Sequence, residues 1–407
     1  VVPHWVPTMV GPGLLDATVQ GLIAGAVIAG GALGLSLIYD IAEVPNFAHG
    51  DMITIGAYLA LVFNNPGEIP FLPNFGSIAF VLAALLGIVS AGILGAVYEL
   101  AIFRKFRRKD ADLITMVIVS LGLALVLRNV VLFLVGSKNI QYQTPRVITT
   151  NFDFLLTQSG ITVITAQRRA GDLTTTGEWG YPWWLVITGI LASIGVGYAV
   201  YSLYRQQEDF TTVYLIPPRI LGSAGAIGTT LLISAFVRLG PQGTDYLIGT
   251  QIGLNIKHIT ILGVVIVAML ILNLILKTTK LGRAMRATAD NMDLAEVRGV
   301  NADRVQLVVW VVAAMLAALA GILTGWFATN LTPNMGFALL LPIFAAVILG
   351  GISSPYGAVA GAMIIGLSMD VGVYLLPAGS STYRVAIAFV ILIGVLLVKP
   401  EGIWGDI

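Results

Sequence analysis

In the stretch VPNFAHGDMITIGAYLALVF, Val44–Phe63, Asn46, His49 and Asp51 fall within six residues of an otherwise apolar sequence. A histidine beside a carboxylate can move a proton or hold a polar solute, and the same residues can equally terminate a turn. Pro45 disfavours helix at Val44. Asn46 is a good N-cap for a helix running to Phe63, and Asp51 suits the positive end of that helix dipole. His49 is left over by this structural account, since a polar ring in the first turn of an intramembrane helix faces protein or a water-filled path rather than lipid. Counting along the spans puts the turn nearer the cytoplasmic end than the midplane, which favours a gate over a binding pocket.

A second interruption, LGGISSPYGAVAG at Leu349–Gly361, breaks the apolar pattern late in the chain. Paired interrupted helices often flank a transport path, because exposed backbone is tolerated only against protein or water. Gly350, Gly351, Ser353 and Ser354 therefore join Asn46, His49 and Asp51 as candidates for a translocation path or gate. Close packing of helices through Gly350, Gly351, Gly357, Ala358 and Gly361 explains the same stretch. Catalysis finds less support: His4, His49 and His258 are isolated, there is no HExxH and no cysteine, and no metal or cofactor set can be assembled. No GxxxxGK[ST] phosphate loop is present, so this sequence cannot hydrolyse ATP itself.

The elements that must position these groups are membrane spans. Of 407 residues 57% are hydrophobic and 11% charged, against about 25% charged in soluble domains. The net charge of +1 recruits no nucleic acid. A bilayer core takes roughly 20 apolar residues per helix. Apolar segments read near 14–38, 46–63, 78–103, 113–135, 183–203, 213–237, 259–276, 305–328, 337–350, 358–376 and 385–398. That predicts an all-α polytopic membrane protein with about eleven apolar segments and ten to eleven spans, forming one transmembrane domain over 1–407. The segment 337–350 is short and 213–237 is broken by Pro217 and Pro218, so either could be a half-helix. The opening VVPHWVPTM has neither a basic region nor a small-residue cleavage site, so Leu14–Ile38 is expected to be a retained span.

Lys and Arg in short loops fix orientation. RKFRRK at Arg104–Lys109 and the 277–304 loop are the two basic clusters, and the four segments between them put both on one side. The N-terminus and the 137–180 loop are then outside, the C-terminus inside. Glu99, Arg128, Arg219 and Asp370 lie within apolar segments, and no partner can be assigned to them from sequence.

The 277–304 loop, KTTKLGRAMRATADNMDLAEVRGV and onward, looks built. Asp290 or Asn291 can cap a short helix ending at Arg298, with Asp293 and Glu296 toward its positive end and Gly299 as the left-handed residue beyond it. Two helical turns are marginal alone in water, so the face bearing Leu294, Ala295 and Val297 is expected to dock on a partner; lying on the membrane or on the rest of the chain is the other reading.

NFAHG (46–50), LGRAMRATADNMDLAEVRGV (281–300), VILGGISSPYGAVAGAMIIG (347–366) and VLLVKPEGIWG (395–405) together resemble the permease subunits of branched-chain amino acid ATP-binding-cassette importers, the NFAHG-containing type most closely. The resemblance covers roughly 1–136 and 259–405. It implies a second homologous permease subunit or a homodimer, two ATPase subunits and an extracytoplasmic solute-binding protein in a prokaryotic cell membrane. In that scheme Arg283, Arg286, Asp290, Asp293, Leu294, Ala295, Glu296, Val297 and Gly299 belong to the element received by the ATPase. The cargo it implies is branched-chain or other hydrophobic amino acids, with urea or short amides as the alternative. An ion-coupled secondary transporter would instead rely on Glu99 and Asp370. Region 137–258 departs from the family: it is expanded by a long polar outer loop, in which Arg168, Arg169, Asp172 and Glu178 are available to a binding protein, and by two additional apolar segments.

Overall fold

The structure, a computed structural model, describes residues 13–42, 44–70, 76–144, 150–169, 172–205, 246–252, 256–352, 354–376, 380–399 and 402–403. The apolar segment expected at 213–237, with Arg219, lies outside them. The chain divides into two compact units, one from Ile148–Asn255 with the start of the chain, the other from Ala17–Val147 and Ile256–Ile407.

In chain order the elements are α1 (Leu14–Ala42), α2 (His49–Asn64), α3 (Phe80–Tyr98), α4 (Leu113–Val135), β1 (Thr150–Thr157), β2 (Gly160–Arg169), β3 (Asp172–Pro182), α5 (Trp183–Arg205), β4 (Tyr246–Ile252), α6 (Ile256–Thr278), α7 (Lys280–Asp290), α8 (Met292–Val297), α9 (Ala302–Phe327), α10 (Met335–Gly350), α11 (Pro355–Leu375) and α12 (Arg384–Val398). Among the described residues six helices are long and apolar enough to cross a membrane, and three apolar helices are shorter. α3 continues through a π turn, Glu99–Phe103, into Arg104–Arg107.

The all-helical expectation needs one correction. Within the 137–258 expansion β1 to β4 form an antiparallel sheet in the order β3-β2-β1-β4. Its strands are dense in Thr, Val, Ile and aromatic residues, as in ITVIT and TTTGEWGY, which favour the pleated surface. Polarity made this stretch read as a loop.

In the larger unit, α1 is apolar all round and almost wholly enclosed from Gly25 to Ile38, as befits a helix surrounded by others. Small residues set that proximity. A methyl group on Gly25 would come 2.9 Å from the carbonyl oxygen of Ala362 and from Cα of Met363 on α11. Trp310 on α9 stacks on Phe103 with ring centroids 4.3 Å apart, closing the core beneath the basic loop. Asp112 caps α4, accepting from the Thr115 amide at 3.3 Å. The Thr115 hydroxyl hydrogen bond is the main influence holding the Asp112 carboxyl below its ordinary range.

At the end of the bundle where α3 finishes, Arg104 and Arg108 both reach Asp303 in the first turn of α9; Arg104 Nε lies 3.1 Å and Arg108 2.9 Å from its carboxylate. Asp303 directly follows the 277–304 loop, so the two basic clusters share one end of the bundle. With no cysteine in the sequence, single Lys109→Cys and Arg298→Cys variants should react with a membrane-impermeant thiol reagent from the same face; labelling from opposite faces would contradict the Asp303 clasp.

Candidate functional site

After α1 ends, residues 44–48 run back into the bundle without helical structure, with Val44, Asn46 and Ala48 buried. Ser120 receives this segment: its hydroxyl accepts from the Phe47 amide at 3.2 Å. Asn46 is not the helix N-cap. Ala48 holds that position, with helical dihedrals, while Asn46 Oδ1 accepts from the Ala48 amide at 3.0 Å and so closes the turn before the helix. The reason is that the chain is still travelling inward at Asn46 and cannot begin its helix until it has passed α4.

His49 is consequently deeper than residue counting implied. Its ring lies against Gly34, where an added methyl would sit 3.0 Å from Cε1 and 2.9 Å from the Ala313 carbonyl oxygen. Ala313 is in the fourth turn of α9, about 16 Å along the axis from Ala302 at 1.5 Å per residue. The turn is therefore well inside the bundle. An extended entry segment advances twice as far per residue as a helix, which counting along spans had ignored.

His49 Nε2 lies 2.9 Å from the Gly31 carbonyl. A carbonyl only accepts, so Nε2 carries the proton and Nδ1 of the neutral ring is a bare acceptor. Nδ1 is buried with no partner among the described residues. Asp51, two residues on, forms a two-pronged ion pair with Arg128 of α4 at 3.0 and 3.1 Å, and the Arg128 guanidinium lies 4.2 Å from the centroid of the Phe337 ring.

Phe337 introduces the other half of the site. α10, like α2, has only 16 residues, about 24 Å of helix, and the two begin beside each other. Gly336 stands so close to Gly50 that any Cβ would collide with the Gly50 carbonyl oxygen. The Gly336 amide, one of the unpaired donors every helix start exposes, donates to Thr54 Oγ1 at 3.0 Å. Phe47 and Phe344 pack with ring centroids 5.1 Å apart. Two short helices thus begin side by side in the middle of the bundle, with Asn46, His49 and Asp51 at the junction.

The late interruption is elsewhere. α10 ends at Gly350, Gly351 turns the chain at φ +104°, and Ser354 caps α11 by accepting from the Gly357 amide at 3.0 Å. Gly350 and Gly357 are in backbone contact, as are Gly361 and Ala346, so the glycines of this stretch zip α10 to α11, while Ser354 lines a cavity at that end of the bundle. Ser353 lies outside the described residues. The C-terminal motif packs on the same turn, with the Ile403 amide donating to Leu349 at 2.8 Å.

Charges without assignable partners find them here: Glu99 pairs with Arg107 and Asp370 with Arg384. Thr54, Ser120 and Gly336 were not singled out from sequence, and Arg128 was noted only as an unpaired intramembrane charge. A cavity of about 580 Å³ beside α2, lined by Ile55, Leu94, Leu127 and Val131 among others, offers an apolar wall and no group to grip a polar solute.

In the 277–304 loop, Asn291 caps α8 by accepting from the Leu294 amide at 2.8 Å, and Gly299 adopts φ +87°. Arg283, Arg286, Asp290, Asp293 and Glu296 are exposed. Leu294 and Val297 are 56% and 84% exposed, but Ala295 is only 4% exposed. The expected contact face is thereby corrected: Ala295 faces this chain's own core, and its neighbours Leu294 and Val297 face away.

Spanning helices packed around two short helices that meet at buried polar groups define a multi-pass membrane permease. The family described as branched-chain amino acid transport system / permease component matches residues 17–396, and the chain belongs to it. The permease protein LivH of Escherichia coli, of a high-affinity branched-chain amino acid transport system, is 30% identical over 237 residues, 55% of this chain and 75% of the relative. BraD of Pseudomonas aeruginosa is 24% identical over 96% of this chain and 95% of its own. LivH of Methanocaldococcus jannaschii is 36% identical over 35% of this chain and 46% of its own. No solved structure matches. These relatives put the protein in the prokaryotic cell membrane as a transport permease subunit.

Removing Asp51 would leave the Arg128 charge without its counter-ion. Asp51→Asn should lower stability in detergent by about 3 kcal/mol, the range for breaking a buried pair, and Arg128→Met added to it should recover much of the loss; thermal unfolding of the three variants reads both effects.

Proposed function

We propose that this chain is a permease subunit of an ATP-driven importer, moving branched-chain or other hydrophobic amino acids inward. The observation that carries the reading is the family match across 17–396, joined to relatives named for branched-chain amino acid transport. It works with a second homologous permease or a second copy of itself, two cytoplasmic ATPase subunits and an extracytoplasmic solute-binding protein. Both basic clusters face the cytoplasm, in keeping with the bias of Lys and Arg to inner loops.

Solute passes the junction of α2 and α10, where His49, Asp51 and the close glycines form the narrow point of the path. Arginines neutralise both Glu99 and Asp370, which leaves neither as a free carboxylate for ion coupling and favours an external energy source. That source acts through the 277–304 loop. α7 and α8 are capped at both starts, and α8 turns two apolar side chains, Leu294 and Val297, into solvent. An ATPase groove supplies their burial, worth about 1.5–3 kcal/mol for each side chain fully covered, with Asp293, Glu296 and Arg298 as polar surroundings.

Val297→Asp should cut co-purification of the ATPase subunits and substrate-stimulated ATP hydrolysis severalfold while leaving the unfolding temperature of the permease alone within about a degree. Ala295→Asp should do the opposite, lowering the permease's own stability first. Normal retention and hydrolysis in Val297→Asp would move the docking surface off α8.

A further inference from the structure

A cavity of about 500 Å³ opens at the bundle end that carries the basic clusters, a size within the usual range for small-molecule sites. It is walled by the last turns of α1 and α6, by α7 and by the start of α11. Four charged side chains line it: Asp40 of α1, Lys277 of α6, and Arg286 and Asp290 of α7. The ion pairs within 4 Å among the described residues include none of the four. Asp40 and Asp290 repel one another, and the Lys277 ammonium lies 5.8 Å from the centroid of the Tyr356 ring. Between the charges the wall is apolar, with Leu37, Ile41 and Met285.

Two acids and two bases around one hollow set the chemistry of what fits. A simple cation would answer the carboxylates and leave Lys277 and Arg286 unmatched; a simple anion would do the reverse. A molecule carrying an ammonium and a carboxylate on one carbon satisfies both sets through charge-assisted hydrogen bonds, and an aliphatic branch on it covers the apolar wall. Guanidinium and carboxylate make a directional pair, which a lysine in the same place reproduces only as a point charge.

We propose that this cavity is a second binding site, for a free α-amino acid with an aliphatic side chain, held by Asp40 and Asp290 at its ammonium and by Arg286 and Lys277 at its carboxylate. That it faces the cytoplasm rests on the orientation proposed above; the binding itself does not. A ligand there joins α1 to α7, so it ties the loop leading to α8 to the bundle core whenever free amino acid accumulates on that side.

The test uses the full chain in nanodiscs of phosphatidylcholine, with tritiated L-leucine measured by scintillation proximity. Saturable binding is expected, weakened at least tenfold by Asp40→Asn and by Arg286→Gln, and less so by Arg286→Lys. 4-Methylpentanoate, which lacks the amine, and isopentylamine, which lacks the carboxylate, should each fail to compete at hundredfold excess. If Asp40→Asn does not fold, the exposed position Arg286 decides alone. Absence of saturable binding, or binding that survives Arg286→Gln, overturns the proposal. Either result leaves the importer reading untouched, because that reading stands or falls on uptake requiring the ATPase and the binding protein.

Discussion

The approach of Gly50 to Gly336 is the constraint from which the rest of the larger unit follows. Two helix starts can touch only if neither carries a side chain at the contact, and here the Gly336 position has no room for one against the Gly50 carbonyl. Each helix start also exposes amides that need acceptors, and hydrocarbon supplies none. Thr54 answers for α10. The turn of Asn46 answers for the segment before α2. Asp51 stands at the positive end of its helix and is balanced by Arg128. His49 fills the space that Gly34 leaves open. The first turns of α2 and α10 lie side by side, and the segment before α2 continues along α10, where Phe47 packs on Phe344.

Much of this was legible in the sequence, and the misses have physical causes. Apolar runs locate helices because lipid and core both demand them: Leu113–Val135 matches the expected 113–135 at both ends, and α10 is short, as its run suggested. The cap at Asn291 and the left-handed Gly299 were readable because they depend on neighbours in sequence alone. Depth was not, since it depends on how far an extended segment travels before helix resumes. The partners of Asp51, Glu99 and Asp370 lie 77, 8 and 14 residues away; only packing decides among so many cations. Ala295 turned inward because a two-turn helix can present any face to its own chain. The sheet was missed because Thr-rich strands are polar, and polarity was taken for irregularity.

The two interruptions, similar on paper, do different work. The one at Asn46 to Asp51 sits where backbone and polar groups meet in the interior, while the one at Gly350 to Ser354 sits at the end that also holds α7 and the mixed-charge cavity. α1 touches both: Gly31 and Gly34 meet His49, and Ser36 donates to the Ile352 carbonyl at 3.1 Å. An enclosed helix joins the junction to the loop end over about one and a half turns.

The meeting of α2 and α10 is tested most directly by cross-linking across it. In a Phe47→Cys, Phe344→Cys variant carrying a protease site inserted between residues 137 and 258, a short bifunctional thiol reagent applied to membranes should join the two fragments after cleavage, and the cross-link should block amino acid uptake. Fragments that separate fully after treatment, with both thiols shown to be reactive, would contradict the junction on which this account of the fold and its path depends.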